Sequence, residues 1–186
     1  LFVVTSPENW GRKFANTFRS LPIVKANAAS AAMTDTLPGK LPTHLPTLQV
    51  ENTREALTKL AQDARGRIAG KVIGITGSVG KTTTRAMLHH VLSRQGRTSS
   101  TEANANTSPG VALSVARTPP NAEFVVYELA HGAMSKKSRI ARPHVAMITE
   151  IALAHLEEFP TLESIINHKA ESLDRLAPEA IATLNR

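Results

Sequence analysis

The chain has 186 residues, 41% of them hydrophobic and only 4% aromatic, enough for one full domain with an aliphatic core and part of a second. It holds no cysteine, which excludes disulfides, thiolate metal sites and a cysteine nucleophile. The net charge of +7 suits anionic partners, yet the densest basic run, Lys136-Lys137-Ser138-Arg139, has no interleaved aromatic residues to stack bases, so nucleic acid is not expected as a partner.

No apolar run approaches the ~18 residues that cross a bilayer. Leu1-Phe2-Val3-Val4 is too short for a signal-peptide core. A cytoplasmic, monomeric protein without a membrane span is the expectation. The chain opens on Leu1 and ends at Leu184-Asn185-Arg186, and it reads as a piece of a longer protein.

In chain order, Leu1–Val4 reads as a strand and Phe14 to Leu21 as a short helix. Lys25 to Pro46, with Pro38, Pro42 and Pro46 evenly spaced, has loop or linker chemistry. Alternatively it hides short edge strands of a small domain, and Leu45 to Val50 is a candidate for one of them. A helix follows: Asn52 can cap it, Glu55 stands three residues on, and Leu57, Leu60, Ala61 and Ala64 recur at helical spacing before Gly66 and Gly70.

From Lys71 onward, strands and helices alternate. Val72–Thr76, Phe124–Tyr127, Val145–Thr149 and Ile181–Leu184 read as strands. Thr82–Ser93 reads as a helix with Met87, Leu88, Val91 and Leu92 inward. A second helix is capped by Ser108 with Pro109 at its first position. A third, Thr161–Leu176, carries Leu162, Ile165, Ile166, Leu173 and Leu176 on one face. The expected fold is α/β: a mostly parallel sheet flanked by helices, preceded by part of a small N-terminal α/β domain. The expected division is 1–50 for the partial N-terminal domain, 51–70 for a connecting helix and 71–186 for the central domain.

The most informative stretch is VIGITGSVGKTTT, residues 72–84. A buried strand stops at a glycine turn, Lys81 and Thr82 follow, and a helix begins. This is the arrangement of a phosphate-binding loop. Glycines let main-chain N–H groups approach phosphates, and the helix N-terminus adds partial positive charge. Lys81 can reach the outer phosphates and the Thr82 hydroxyl can ligate Mg²⁺. The strict G-x-x-x-x-G-K-[ST] pattern fails at one position, where Ile75 stands for glycine.

Ligands of open α/β sheets bind beyond the carboxyl ends of the strands. Glu128 ends the second core strand, and Glu150 and His155 follow the third. Lys169 lies in a later helix. Glu128 is the leading metal candidate outside the loop. On their own, His155 reads first as a packed structural histidine and Lys169 as a solvated helical lysine.

Several ordered segments resemble the Mur ligase family of ATP-dependent amide-forming enzymes. They are ITGSVGKTTT at 75–84, Asn104-Ala-Asn106-Thr-Ser-Pro-Gly110-Val, FVVYELA at 124–130, RPHVAMITEIALAHLEEF at 142–159, INHKAE at 166–171 and Ala182-Thr-Leu-Asn185. LFVV at 1–4 and LPTLQVENTREALTKLA at 45–61 resemble parts of that family's UDP-binding N-terminal domain and connecting helix.

The resemblance implies ATP and Mg²⁺ as cofactors. It implies ATP contacts from Gly77, Ser78, Val79, Gly80, Lys81, Thr82, Thr83 and Asn106, metal contacts from Thr82, Glu128 and His155, and a catalytic set of Lys81, Glu128, His155 and Lys169. Lys169 matches a position that some members carbamylate. The implied substrates are a UDP-linked muramoyl peptide and a D-amino-acid dipeptide, joined through an acyl phosphate.

The chain departs from the family pattern at three places. Thr107 stands where the family has paired asparagines after Asn106, the segment after Glu128, usually rich in Gly and Asn with a second acid, is Leu-Ala-His-Gly-Ala-Met at 129–134, and Glu150 stands for Asn. A related ligase with another peptide or amino-acid substrate, and a nucleotide-binding module without turnover, remain as alternatives at this point. In the family a C-terminal domain completes the site, so this chain alone is expected to bind nucleotide weakly and to ligate poorly.

Overall fold

In a computed structural model, residues 2–4, 31–35, 46–102, 105–174 and 176–185 are described. The expected helix at Phe14–Leu21, most of Lys25–Pro46 and Asn104 lie outside them. The chain divides into two compact units, Leu1–Lys59 and Leu60–Arg186.

The first unit contains a three-stranded parallel sheet of β1 (Phe2–Val4), β2 (Ala32–Thr34) and β3 (Thr47–Gln49), in that order. β2 falls inside the proline-rich stretch whose first reading is loop. It is the central strand, so it is not one of the edge strands of the alternative reading either. Its residues are wholly buried, and a strand with a neighbour on each side satisfies its main-chain groups whatever its local composition. The boundary between the units falls within α1 (Thr53–Arg67). Asn52 caps this helix, its Oδ1 accepting from the N–H groups of Arg54 and Glu55 at 2.9 and 3.1 Å. Leu57, Ala61 and Ala64 form its buried stripe.

The second unit is a five-stranded, all-parallel sheet in the order β5-β6-β4-β7-β8. Its strands are β4 (Lys71–Thr76), β5 (Thr98–Ser100), β6 (Phe124–Glu128), β7 (Val145–Ile148) and β8 (Ile181–Leu184). Among the described residues four further helices alternate with these strands: α2 (Lys81–Leu92), α3 (Ser108–Arg117), α4 (Met134–Ala141) and α5 (Leu162–Ala170). Val72, Ile75, Val125, Val126 and Tyr127 are fully buried, as strands covered on both faces require. β4 lies at the centre, which places the glycine turn at the middle of the sheet's carboxyl edge.

Three details correct the sequence reading. On α2, Met87 and Val91 are exposed (65% and 57%) rather than inward. The sheltered face runs through Lys81, Thr84, Arg85, Leu88 and Leu92, and Met87 and Val91 sit one position round from it. The cap of α3 is Thr107, whose Oγ1 accepts from Gly110 N, so Ser108 is already helical. α5 ends at Ala170, not Leu176: i→i−3 bonds from Ser172 and Leu173 tighten the last turn, and its buried stripe is Ile165 and Lys169 while Leu162 and Ile166 stay exposed.

Arg65 locks the C-terminal turn of α1 to the end of α4. It is buried, and it donates to the carbonyls of Ala141 (2.6 Å), Arg142 (2.7 Å) and Ile68 (3.2 Å). Arg142 ends α4 with a left-handed φ of 40°, turning those carbonyls toward the guanidinium. Arg65→Met removes every donor and leaves buried acceptors unpaired. Urea denaturation is expected to show a loss of about 3 kcal/mol, and a loss within experimental error would contradict this account of the junction.

Candidate functional site

The glycine turn uses backbone conformations that side chains resist. Gly77 has φ 150° and Gly80, the residue before α2, has φ 87°. A Cβ on Gly77 would run into the Thr149 hydroxyl. The turn is braced from the segment after β7. The Ser78 and Val79 N–H groups both donate to Glu150 O (2.7 and 3.4 Å), and the Thr149 hydroxyl donates to Val79 O at 2.6 Å. α2 begins with no side-chain cap and no acid in its first turn. Its leading N–H groups therefore have no partner inside the helix and face the carboxyl edge of the sheet, an arrangement that attracts anions.

Lys81 curls over this turn. Its ammonium donates to Gly77 O (2.7 Å) and Ser78 O (3.0 Å). Burial lowers its pKa, and Glu128 works in the opposite direction.

Glu128 is the centre of the polar network. The β4–β6 register sets it beside Ile75, just before the turn, and it is only 2% exposed. Its Oε2 accepts from the Thr82 hydroxyl at 3.0 Å and its Oε1 from the Asn106 amide at 2.9 Å. Arg85 Nε lies 3.4 Å from Oε2. The Glu128 N–H donates to Thr101 Oγ1 at 3.0 Å. A buried carboxylate is stable only when its oxygens are met in this way.

A second group gathers between β6, α4 and α5. Lys137 is 1% exposed, and its ammonium donates to Ala130 O (2.5 Å) and His131 O (2.8 Å). The His131 ring stacks on His155 with centroids 3.7 Å apart, and His155 holds a left-handed φ of 55°. Lys169 is 3% exposed. Burial first, and the nearby Lys81 second, push it down to about 8. Lys137 falls to about 8 as well, through burial and then Lys169. Burial is also the largest cause lowering His131, followed by His155.

The structure thus brings Lys81, Thr82, Asn106 and Glu128 together, with Lys169 within electrostatic reach of Lys81. His155 meets His131. Among the described residues, no three His, Asp or Glu side chains cluster as a metal site. The Glu150 carboxylate accepts from the Asn185 amide at 2.7 Å, and it is the Glu150 carbonyl that holds the loop. Sequence reasoning missed Arg85, Thr101, His131 and Lys137. Arg85 does follow Thr82 by one helical turn, a spacing that put it within reach of any acid partner of Thr82.

A divalent cation fits this site. The Thr82 hydroxyl spends its proton on Glu128, so its lone pairs remain for a cation beside the turn.

A family model for the Mur ligase middle domain matches residues 75–186. The UDP-N-acetylmuramoyl-tripeptide–D-alanyl-D-alanine ligase of Bacillus subtilis (strain 168) is 37% identical over 135 residues, covering 71% of this chain and 30% of the relative. The enzyme of the same name from Escherichia coli (strain K12) is 34% identical over 144 residues, covering 76% and 32%. A crystal structure of MurF from Acinetobacter baumannii superposes with a TM-score of 0.81 at 32% identity, covering 98% of this chain and 40% of the other. MurF ligase from Thermotoga maritima, in complex with ADP, gives 0.77 at 30% identity, covering 98% and 42%. The chain thus spans less than half the length of these relatives.

Lys137 and Lys169 carry a pH signature. Each is held below its unfolded value, so from about pH 8 to 10 the unfolded chain binds more protons and stability rises with pH. Lys169→Met is expected to be more stable than wild type near about pH 7, with the gap narrowing toward about pH 9.5. Urea denaturation at both values checks this, and a gap that stays constant or widens would contradict it.

Proposed function

The chain belongs to the Mur ligase family, and from that premise we propose that it is the nucleotide-binding part of an ATP-dependent amide ligase. Its expected substrates are a UDP-N-acetylmuramoyl tripeptide and D-alanyl-D-alanine. The observation that carries the reading is the hydrogen-bonded chain Thr82–Glu128–Asn106 beside the uncapped start of α2. Relatives bearing that ligase name, and one holding ADP, support it. On this reading residues 71–186 hold the nucleotide, 1–50 belong to the UDP-substrate domain and 51–70 connect them. Among the described residues no helix is long and apolar enough to cross a membrane.

The reaction joins a carboxylate to an amine. The substrate carboxylate attacks the γ-phosphorus of ATP, ADP leaves, and an acyl phosphate forms. The amine then attacks the acyl carbon, expelling phosphate and losing a proton. The first step brings two anions together, so the site must neutralise charge before it can orient the reactants.

Lys81 is suited to this work. It leaves the Gly77 and Ser78 carbonyls and pairs with the β- and γ-phosphates, while Gly80 and the first amides of α2, through Thr83, cradle them. Thr82 would hold Mg²⁺ directly and Glu128 through water, with Asn106 fixing the carboxylate. When bound, the cation screens the phosphate oxygens. Lys169, with Lys137 behind it, adds positive charge where the transferring group sits. His155, whose ring stacks on His131, would serve the metal ions near the γ-phosphate.

A second reading, a ligase of this family acting on another peptide or amino acid, draws on the segment after Glu128. There the Lys137 clamp on Ala130 and His131 stands where the family pattern carries an acid.

Phosphate release tests the proposal, measured on the longest natural form of the protein with Mg²⁺·ATP, the tripeptide substrate and D-alanyl-D-alanine, each omitted in turn. Release is expected to require all of them and to fall at least about 100-fold in Lys81→Ala. ATP binding without release on these substrates would favour the second reading. Failure to bind ATP would overturn both.

A further inference from the structure

Glu128 keeps company with a cation that neither the phosphate-loop pattern nor the family resemblance assigns. Arg85 stands one turn beyond Thr82 on α2, and its side chain is 16% exposed. Its Nε lies 3.4 Å from Glu128 Oε2. That Nε is buried, yet among the described residues it makes no aligned hydrogen bond. The guanidinium is pinned from its other side, where Nη1 donates to the Thr101 carbonyl. Thr101 is itself fully buried and fixed to β6. Its N–H donates to Val126 O at 3.0 Å, and its Oγ1 accepts the Glu128 N–H at 3.0 Å. The positive charge is therefore held beside the carboxylate by the sheet, not by a flexible surface pair.

The charge balance follows. Asn106 occupies one Glu128 oxygen and Thr82 the other. Arg85 already offsets the negative charge, so a divalent cation entering alone gains little from the carboxylate and is repelled by the guanidinium. A cation arriving with phosphates brings its own negative charge and meets Lys81 and the start of α2 as partners. We infer that Arg85 is a positioning residue that makes divalent-cation binding depend on nucleotide: it fixes Glu128 in place and denies the empty site a free carboxylate. The inference rests on the nucleotide reading above and adds to it the order in which charge enters the site.

The sign of the effect separates this role from simple support of the fold. If Arg85 only braced the structure, removing it would weaken every ligand. If it competes with the cation, removing it strengthens nucleotide-free metal binding. The probe is Mn²⁺, followed by electron paramagnetic resonance on the full chain with and without ADP. Wild type is expected to bind Mn²⁺ weakly alone and more tightly with ADP. Arg85→Met is expected to raise nucleotide-free Mn²⁺ affinity about tenfold, and Arg85→Lys to stay near wild type. Arg85→Gln, neutral but still able to donate toward Thr101, carries the same expectation if the Met variant does not fold. In Arg85→Met/Glu128→Gln the gain is expected to vanish.

Tight Mn²⁺ binding by ADP-free wild type would overturn the inference without any variant. So would a folded Arg85→Met or Arg85→Gln with unchanged or weaker nucleotide-free affinity. Wild type that binds neither ADP nor Mn²⁺·ADP would instead remove the nucleotide reading on which the inference stands.

Discussion

The buried Glu128 carboxylate is the constraint around which the second unit is arranged. A charge at 2% exposure is tolerated only where its surroundings answer it. Here the answer comes from Thr82 and Arg85 on α2 and Asn106 in the segment before α3, while Thr101, just past β5, accepts the main-chain N–H of Glu128. These partners are spread over separate segments of the chain, so meeting the needs of one side chain also sets the start of α2 against the carboxyl edge of the sheet. Stability and the geometry of the site are here the same set of bonds.

Around that buried carboxylate the site is rich in lysine. Lys81 and Lys137 donate to main-chain carbonyls, and neither has a hydrogen-bonded carboxylate among the described residues. Burial first, and then Lys169, lowers Lys137 toward the neutral amine, while burial and then Lys81 lowers Lys169. A site of this kind is costly while empty and is relieved by an anion. The polyphosphate proposed above would supply such an anion.

Much of this was legible in the sequence. The turn at Gly77–Gly80 announces itself because few other arrangements need glycines between a buried strand and Lys-Thr. The fully apolar runs around Val72 and Val125 read as covered strands for the same reason that they are buried. Other parts were not legible. β5 is three residues of Thr and Ser, with no apolar pattern to mark it, and exists through its pairing with β6. α4 contains a basic run that looks solvated, yet Lys137 and Ser138 within it are buried. Met87 and Val91 mislead because an apolar residue on an exposed helix face carries no sign of its orientation. Arg85 and Thr101 act on Glu128 across 43 and 27 positions of sequence, distances that follow from their numbers and that only the fold closes.

The most direct measurement is a crystal structure of the chain with Mg²⁺ and a non-hydrolysable ATP analogue. This account predicts β- and γ-phosphates against the amides of Gly80–Thr82, with Lys81 Nζ moved from the Gly77 and Ser78 carbonyls onto them. Glu128 should remain buried between Thr82 and Asn106. Phosphates bound elsewhere, or a Lys81 still seated on its own loop carbonyls with nucleotide present, would contradict it.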